Sequence, residues 1–274
     1  MHPHSVCTDP PLSLSLSLSP PSVAQAIALG SAFAAKSLKV TALMLAENMI
    51  GDLGIAALAI GIAEGGCAGG MLKQLYLGEN KFGPVGVTAL ATEVLQAPGC
   101  RLKTLYLYDN AIRDEGAAAI AAARPASLEQ LNVKNTGITA VGAEKLAGLL
   151  SRHDSRLHTL DAQNNALIGD AGAASIATAL GPAMTTLYLR GCGIGDAGAI
   201  ALGAAFRAEG SGLRMLDLTD NWIGDAGAIA LVRALEAGER SRPVHLYLAG
   251  NDIGETGLAA LASAHERQLY VGPL

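Results

Sequence analysis

Apolar positions recur along this chain in one phrase, and its clearest copy is Leu213–Leu231, LRMLDLTDNWIGDAGAIAL. Leu213, Leu216 and Leu218 take the first, fourth and sixth places, Asn221 the ninth, and Ile223, Gly227 and Leu231 follow at fixed offsets. Leucines two apart, such as Leu105 and Leu107 or Leu187 and Leu189, point the same way from an extended chain. Each phrase therefore predicts a short strand with one buried face. The apolar run that follows, as in AIALVRALEAG, predicts a helix. The ninth place is held in turn by Asn48, Asn80, Asn110, Thr136, Asn165, Cys192, Asn221 and Asn251, at intervals of 32, 30, 26, 29, 27, 29 and 30 residues that average 29. A period of that size holds one strand and one helix, in units that bury their apolar faces by stacking on each other.

The phrase resembles the leucine-rich repeats of the ribonuclease-inhibitor type, and the resemblance runs from Leu38 to Leu274. It implies an α/β fold, a right-handed solenoid or horseshoe with a parallel sheet on the concave side and helices on the convex side. Asn in the ninth place turns the chain out of the strand, and its amide can bond main-chain groups of adjacent coils; Thr136 and Cys192 can do this only in part. Asp170, Asp196 and Asp225 read as helix N-caps, with Gly172, Gly198 and Gly227 letting the helix lie close to the strand. The stretch EGGCAGG (Glu64–Gly70) pads the longest interval, and one extra residue between Asn165 and Ile168 predicts a local bulge.

Ahead of the coils, Ser22–Lys36 places Val23, Ile27 and Ala34 on one helical face and predicts a helix sealing a truncated first coil. Residues 1–21 read as a disordered low-complexity tail, since the Leu–Ser alternation of PPLSLSLSLSPP dilutes the apolar run that a signal or membrane span needs. The repeat domain is thus expected over 22–274, as about eight full coils with partial coils at its ends.

Composition narrows the function. Half the chain is apolar with only three Phe and one Trp, which suits many small aliphatic layers. A net charge of -5, with its charges interspersed, gives no reason to expect nucleic acid or an anionic membrane. Cys7, Cys67, Cys100 and Cys192 are far apart and suggest neither disulfides nor zinc, so a cytoplasmic protein with reduced thiols is expected. His158 and His245 sit three coils apart, about 14 Å by strand spacing. No nucleophile lies beside a base, and the Gly-rich stretches lack a P-loop lysine. The chain is therefore expected to be no enzyme and to use no cofactor or metal.

What varies between coils must then carry recognition. All six tyrosines, Tyr76, Tyr106, Tyr108, Tyr188, Tyr247 and Tyr270, fall on outward strand positions. Four of them share the column between the paired leucines with Met44, Asn132, Asp161 and Asp217. Such a wall, about 35 Å long over eight strands, suits a protein partner, because Tyr offers contact area and a hydroxyl at little entropic cost. Strand propensity is the competing account of the same residues.

A second column, Glu47, Glu79, Asp109, Asn135, Asn164, Gly191, Asp220 and Gly250, concentrates carboxylates at the amino-terminal end. These attract a basic partner or a cation, or are neutralised by Lys73 and Lys103. Arg190, Arg214 and Lys134 add positive charge further along. Trp222, on the strand-exit rim, reads equally as a hot spot or a packing residue.

The expected function is a non-catalytic scaffold or adaptor, or a subunit of a larger assembly. The resemblance admits two others: a GTPase-activating protein of the Ran activator type, which usually carries an acidic tail that QLYVGPL does not supply, and the sensing part of a nucleotide-binding immune receptor. Ribonuclease inhibition is disfavoured, since such inhibitors look cysteine-rich and strongly acidic.

Overall fold

The computed structural model describes residues 13–15, 23–35, 39–67, 71–207, 211–236, 244–265 and 269–271. The paired leucines form the expected strands: β1 (Ser13–Ser15), β2 (Ala42–Met44), β3 (Gln74–Tyr76), β4 (Thr104–Tyr106), β5 (Gln130–Asn132), β6 (Thr159–Asp161), β7 (Thr186–Tyr188), β8 (Met215–Asp217), β9 (Val244–Tyr247) and β10 (Leu269–Val271). They make one parallel sheet in strict chain order. Between them run α1 (Val23–Ala34), α2 (Gly51–Gly61), α3 (Pro84–Leu90), α4 (Arg113–Ala123), α5 (Ala140–Leu150), α6 (Gly169–Ala179), α7 (Asp196–Arg207), α8 (Asp225–Glu236) and α9 (Glu255–His265). Strands pack about 4.8 Å apart and helices about 8–10 Å apart. Stacking one of each per coil therefore curves the stack with the sheet inside.

The core is a file of aliphatic layers. Leu75, Leu77, Leu105, Leu107, Leu187, Leu189, Leu216 and Leu218 are fully buried, and Ile55, Ile120, Ile176, Leu202 and Leu231 close the layers from the helices. The ninth-place asparagines behave as expected. Asn165 Nδ2 donates to Val133 O of the preceding coil and Ala162 O of its own, while its Oδ1 accepts from Thr136 N and Ile138 N. Asn110, Asn221 and Asn251 also join the main chain of two coils. Thr136 Oγ1 donates only to Val133 O of its own coil among main-chain groups, and the Cys192 thiol donates to Ala162 O.

The aspartates differ from expectation. Asp196 does not cap its own helix: its Oδ1 accepts from Gly224 N and Gly227 N, both at 2.8 Å, at the start of α8. Asp170 does the same for Gly195 and Gly198 ahead of α7, Asp225 for Gly254 and Gly257, and Asp52 for Gly83 and Gly86. Each carboxylate caps the helix of the next coil, so the cap is also a tie between coils. Gly198 is needed for that tie, because a Cβ there would stand 2.8 Å from Asp170 Oδ1.

Two steps lack the carboxylate: from α3 to α4, where Pro84 occupies the place, and from α5 to α6, where Ala140 does. At the second of these the extra residue of the fifth coil forms the expected bulge. Leu167 makes an isolated parallel bridge with Thr139, and its carbonyl accepts from Ala140 N.

Three further expectations change at the amino-terminal end. The helix α1 buries Ala26, Leu29, Gly30 and Phe33 and leaves Val23 and Ile27 exposed, so the stripe read as apolar is the outer one. Phe33, the largest side chain of α1, is fully buried, and burying it in place of Val23 removes more apolar area from water. The Leu–Ser run has a partner after all: Ser13–Ser15 pairs with Ala42–Met44 as an edge strand. The remainder of 1–21 lies outside the described residues. Of the stretch read as padding, residues 64–67 continue α2 within a π-helical segment, Ile62–Cys67, and 68–70 lie outside the described residues.

Candidate binding surface

The backbone register brings the first column together as expected. Met44, Tyr76, Tyr106, Asn132, Asp161, Tyr188, Asp217 and Tyr247 are successive Cα partners across β2 to β9. Tyr270 does not join them; it pairs with His245, in the adjacent column. Tyr76, Tyr106, Tyr108, Tyr188 and Tyr247 are half-buried. Tyr76 and Tyr106 meet edge to face, centroids 4.9 Å apart at 80°, and the Tyr106 hydroxyl reaches Gln130 Oε1 at 3.4 Å. Tyr108 lies over Gly78 of the preceding coil, where any side chain would collide with its ring. Gln130 and Gly78 are supporting residues that periodicity alone did not single out.

The polar members of the column have local tasks. Asn132, Asp161 and Asp217 each accept the backbone N–H two residues on, from Lys134, Gln163 and Thr219. These bonds turn the strand end. Asn132 Nδ2 also donates to Asp161 Oδ2 at 2.9 Å. Burial raises the Asp161 carboxyl above the usual carboxylate range, against those hydrogen bonds. Burial likewise raises the Tyr106 and Tyr188 hydroxyls, helped by neighbouring tyrosines and Asp161.

The second column has a backbone cause. Glu47, Glu79, Asp109, Asn135, Asn164, Gly191, Asp220 and Gly250 all have φ between 50° and 69°. Gly, Asn and Asp enter that left-handed region most easily, which accounts for six of the eight residue types. Glu47 and Glu79 do not fit that account. Burial first, then the carboxylates of Glu79, Glu47 and Asp109, raises the Tyr108 hydroxyl, so this acidic end surrounds an aromatic ring.

The expected positive charge is partly spent. Arg190 is paired with Asp220, Nη2 to Oδ2 at 2.6 Å, and Lys103 pairs with Glu129 rather than with Glu79 or Asp109. Trp222 is 69% exposed on the strand-exit rim, and Leu167, pushed out by the bulge, is 73% exposed two coils earlier. Leu167 was not among the residues expected at the surface, although the extra residue beside it is visible in the sequence.

Among the described residues there is no group of three or more His, Cys, Asp and Glu able to hold a metal, and no helix is long and apolar enough to cross a membrane. Cys192 is fully buried, which pushes its thiol up to about 12.

Comparison with known proteins agrees with this geometry. The family described as "Leucine Rich repeat" matches residues 71–91, 100–121, 125–147, 183–203, 213–232 and 244–262. The chain is 28% identical over 233 residues to human "NACHT, LRR and PYD domains-containing protein 3", covering 84% of this chain but 19% of that protein. It is 32% identical over 185 residues to the ribonuclease inhibitor of Sus scrofa and 31% over 183 to that of Mus musculus, covering 39% and 38% of those proteins. It thus spans well under half the length of the relatives it matches. With one strand, one ninth-place residue and one helix in each of eight successive coils, the chain belongs to the leucine-rich-repeat family, with repeats of the ribonuclease-inhibitor type.

Proposed function

We propose that this chain is a non-catalytic protein-interaction scaffold that takes a macromolecular partner on its concave face, in the cytoplasm, alone or as a subunit of a larger assembly. The carrying observation is the aligned column from Met44 to Tyr247, in which four half-buried tyrosines are interspersed with short polar side chains. The Tyr76–Tyr106 pair and the seating of Tyr108 on Gly78 hold the rings before a partner arrives, which lowers the ordering cost of binding. Asp161 and Asp217 supply acceptors between Tyr106, Tyr188 and Tyr247, and Glu47, Glu79 and Asp109 extend the surface at the amino-terminal end. Trp222 stands at its rim, and the guanidinium of Arg190 is held by Asp220.

Similarity to the "NACHT, LRR and PYD domains-containing protein 3" over 84% of the chain favours a second reading, the repeat part of a multidomain receptor of that kind. The same surface serves in either case.

The test is affinity capture from native cell extract with wild type and a Tyr106→Ala, Tyr188→Ala variant, followed by mass spectrometry. Hot-spot loss of about 2 kcal/mol or more per residue should remove the partner from the variant list. A small GTPase among the lost proteins would favour the activator reading. Capture unchanged by the two substitutions, in a variant that keeps wild-type helicity, would refute the concave-face assignment.

A further inference from the structure

The opposite rim, where each helix returns to the next strand, carries a charged surface that recognition on the concave face does not use. Between the return segments of the second, third and fourth coils lies an open groove of about 680 Å³. Arg124 and Arg156 line it, with Ser127 and an apolar floor of Leu95, Ala97 and Ala123. The one carboxylate in the lining, Asp154, is already committed to Arg152, Nη2 to Oδ2 at 2.5 Å. Arg124 and Arg156 are exposed, and among the described residues neither is in an ion pair. In a chain of net charge -5, two uncompensated guanidinium groups thus share one groove.

Helix electrostatics explains half of this. Arg124 is the C-cap of α4, where a cation complements the helix dipole. Arg156 lies beyond the end of α5, in the return to β6, and has no such cause. Guanidinium planes bind carboxylates in a bidentate manner, and an apolar floor adds area that a small free anion would leave uncovered.

We infer that this groove docks an acidic segment of a partner protein, its carboxylates on Arg124 and Arg156 and an apolar side chain on Leu95, Ala97 and Ala123. A nucleic acid fits less well: no aromatic side chain lines the groove to stack a base, and its phosphates would leave the apolar floor uncovered.

Fluorescence anisotropy on the full chain tests this with three labelled probes: a short peptide of alternating Glu and Leu, its Gln and Leu counterpart, and a short single-stranded DNA. The Glu peptide should bind in a salt-sensitive manner, about tenfold or more tighter than the other two. Arg124→Glu with Arg156→Glu should weaken it by about tenfold or more. Arg233→Glu on α8 and Tyr106→Ala on the concave face should leave it unchanged, so failure here is distinct from failure of the concave-face reading. Should the reversed-charge variant lose its wild-type urea midpoint, the same loss is expected of Arg124→Gln with Arg156→Gln. Wild type that does not bind the Glu peptide, equal binding of the Gln peptide, tighter binding of DNA, or full affinity in a folded arginine variant would overturn the assignment.

Discussion

Replacing Asn221 with Ala isolates what the asparagine ladder contributes. Asn221 is 3% exposed, its Oδ1 accepts from Cys192 N and Ile194 N at 3.0 Å each, and its Nδ2 donates to Leu189 O, Leu218 O and Thr219 O. Leu218 O keeps a second donor in Asn251 Nδ2, whereas each of the two N–H groups loses the acceptor in which Asn221 held it. At about 1–3 kcal/mol for each buried donor left unpaired, the substitution should cost about 2–6 kcal/mol.

That is a large part of the roughly 5–15 kcal/mol that usually holds a domain folded. Because each coil contacts only its neighbours, the loss should be local at first. Trp222, the single tryptophan, sits beside the substitution and reports that coil by fluorescence, while circular dichroism reports the helices together. In urea the Trp222 transition should move to lower denaturant ahead of the dichroism, and the two should coincide in wild type. The exposed Asp252→Ala serves as the reference, expected within about 0.5 kcal/mol of wild type. If Asn221→Ala shifts the Trp222 transition no more than Asp252→Ala does, the ladder does not carry this load.

Further outcomes follow from the same geometry. Asp196→Ala should cost about 0.5–2 kcal/mol and speed amide exchange at Gly224 and Gly227 of α8; faster exchange confined to α7 would contradict capping across coils. Asp161 has a folded pKa raised by burial, so the folded chain binds a proton more readily and stability falls as pH rises through the window from the ordinary carboxylate value upward. Melting temperature measured from about pH 4 to neutrality should therefore fall for wild type relative to Asp161→Asn, and parallel curves would refute the shift. With its thiol pushed up to about 12, Cys192 should resist maleimide at neutral pH until urea unfolds its coil, while half-buried Cys100 reacts first; peptide mapping that finds native Cys192 fully labelled would count against its burial.

The repeat period, the strands at the paired leucines, the asparagine ladder and the bulge at Leu167 were all legible in the sequence, because each depends on groups within one coil or on a spacing that repeats. The weaker ladder at Thr136 and Cys192 was legible for the same reason, from the donors those side chains lack. Which coil an aspartate caps was not legible. Asp196 lies beside its own helix start in sequence, yet its carboxylate reaches Gly224 and Gly227 of the next coil, 28 and 31 residues away.

The tyrosine column followed from register, but the contacts that seat Tyr106 on Gln130 and Tyr108 on Gly78 come from neighbouring coils. The second column looked like a pattern of charge, and the fold gives it a backbone cause in a shared left-handed φ. Arg190 looked free until Asp220 of the next coil was placed beside it, and α1 showed its working face only once it was packed on α2 with Phe33 buried. A periodic sequence determines the unit and its spacing by itself. Bonds, ion pairs and helix faces between units depend on how one coil sits on the next, and only the tertiary structure decided those.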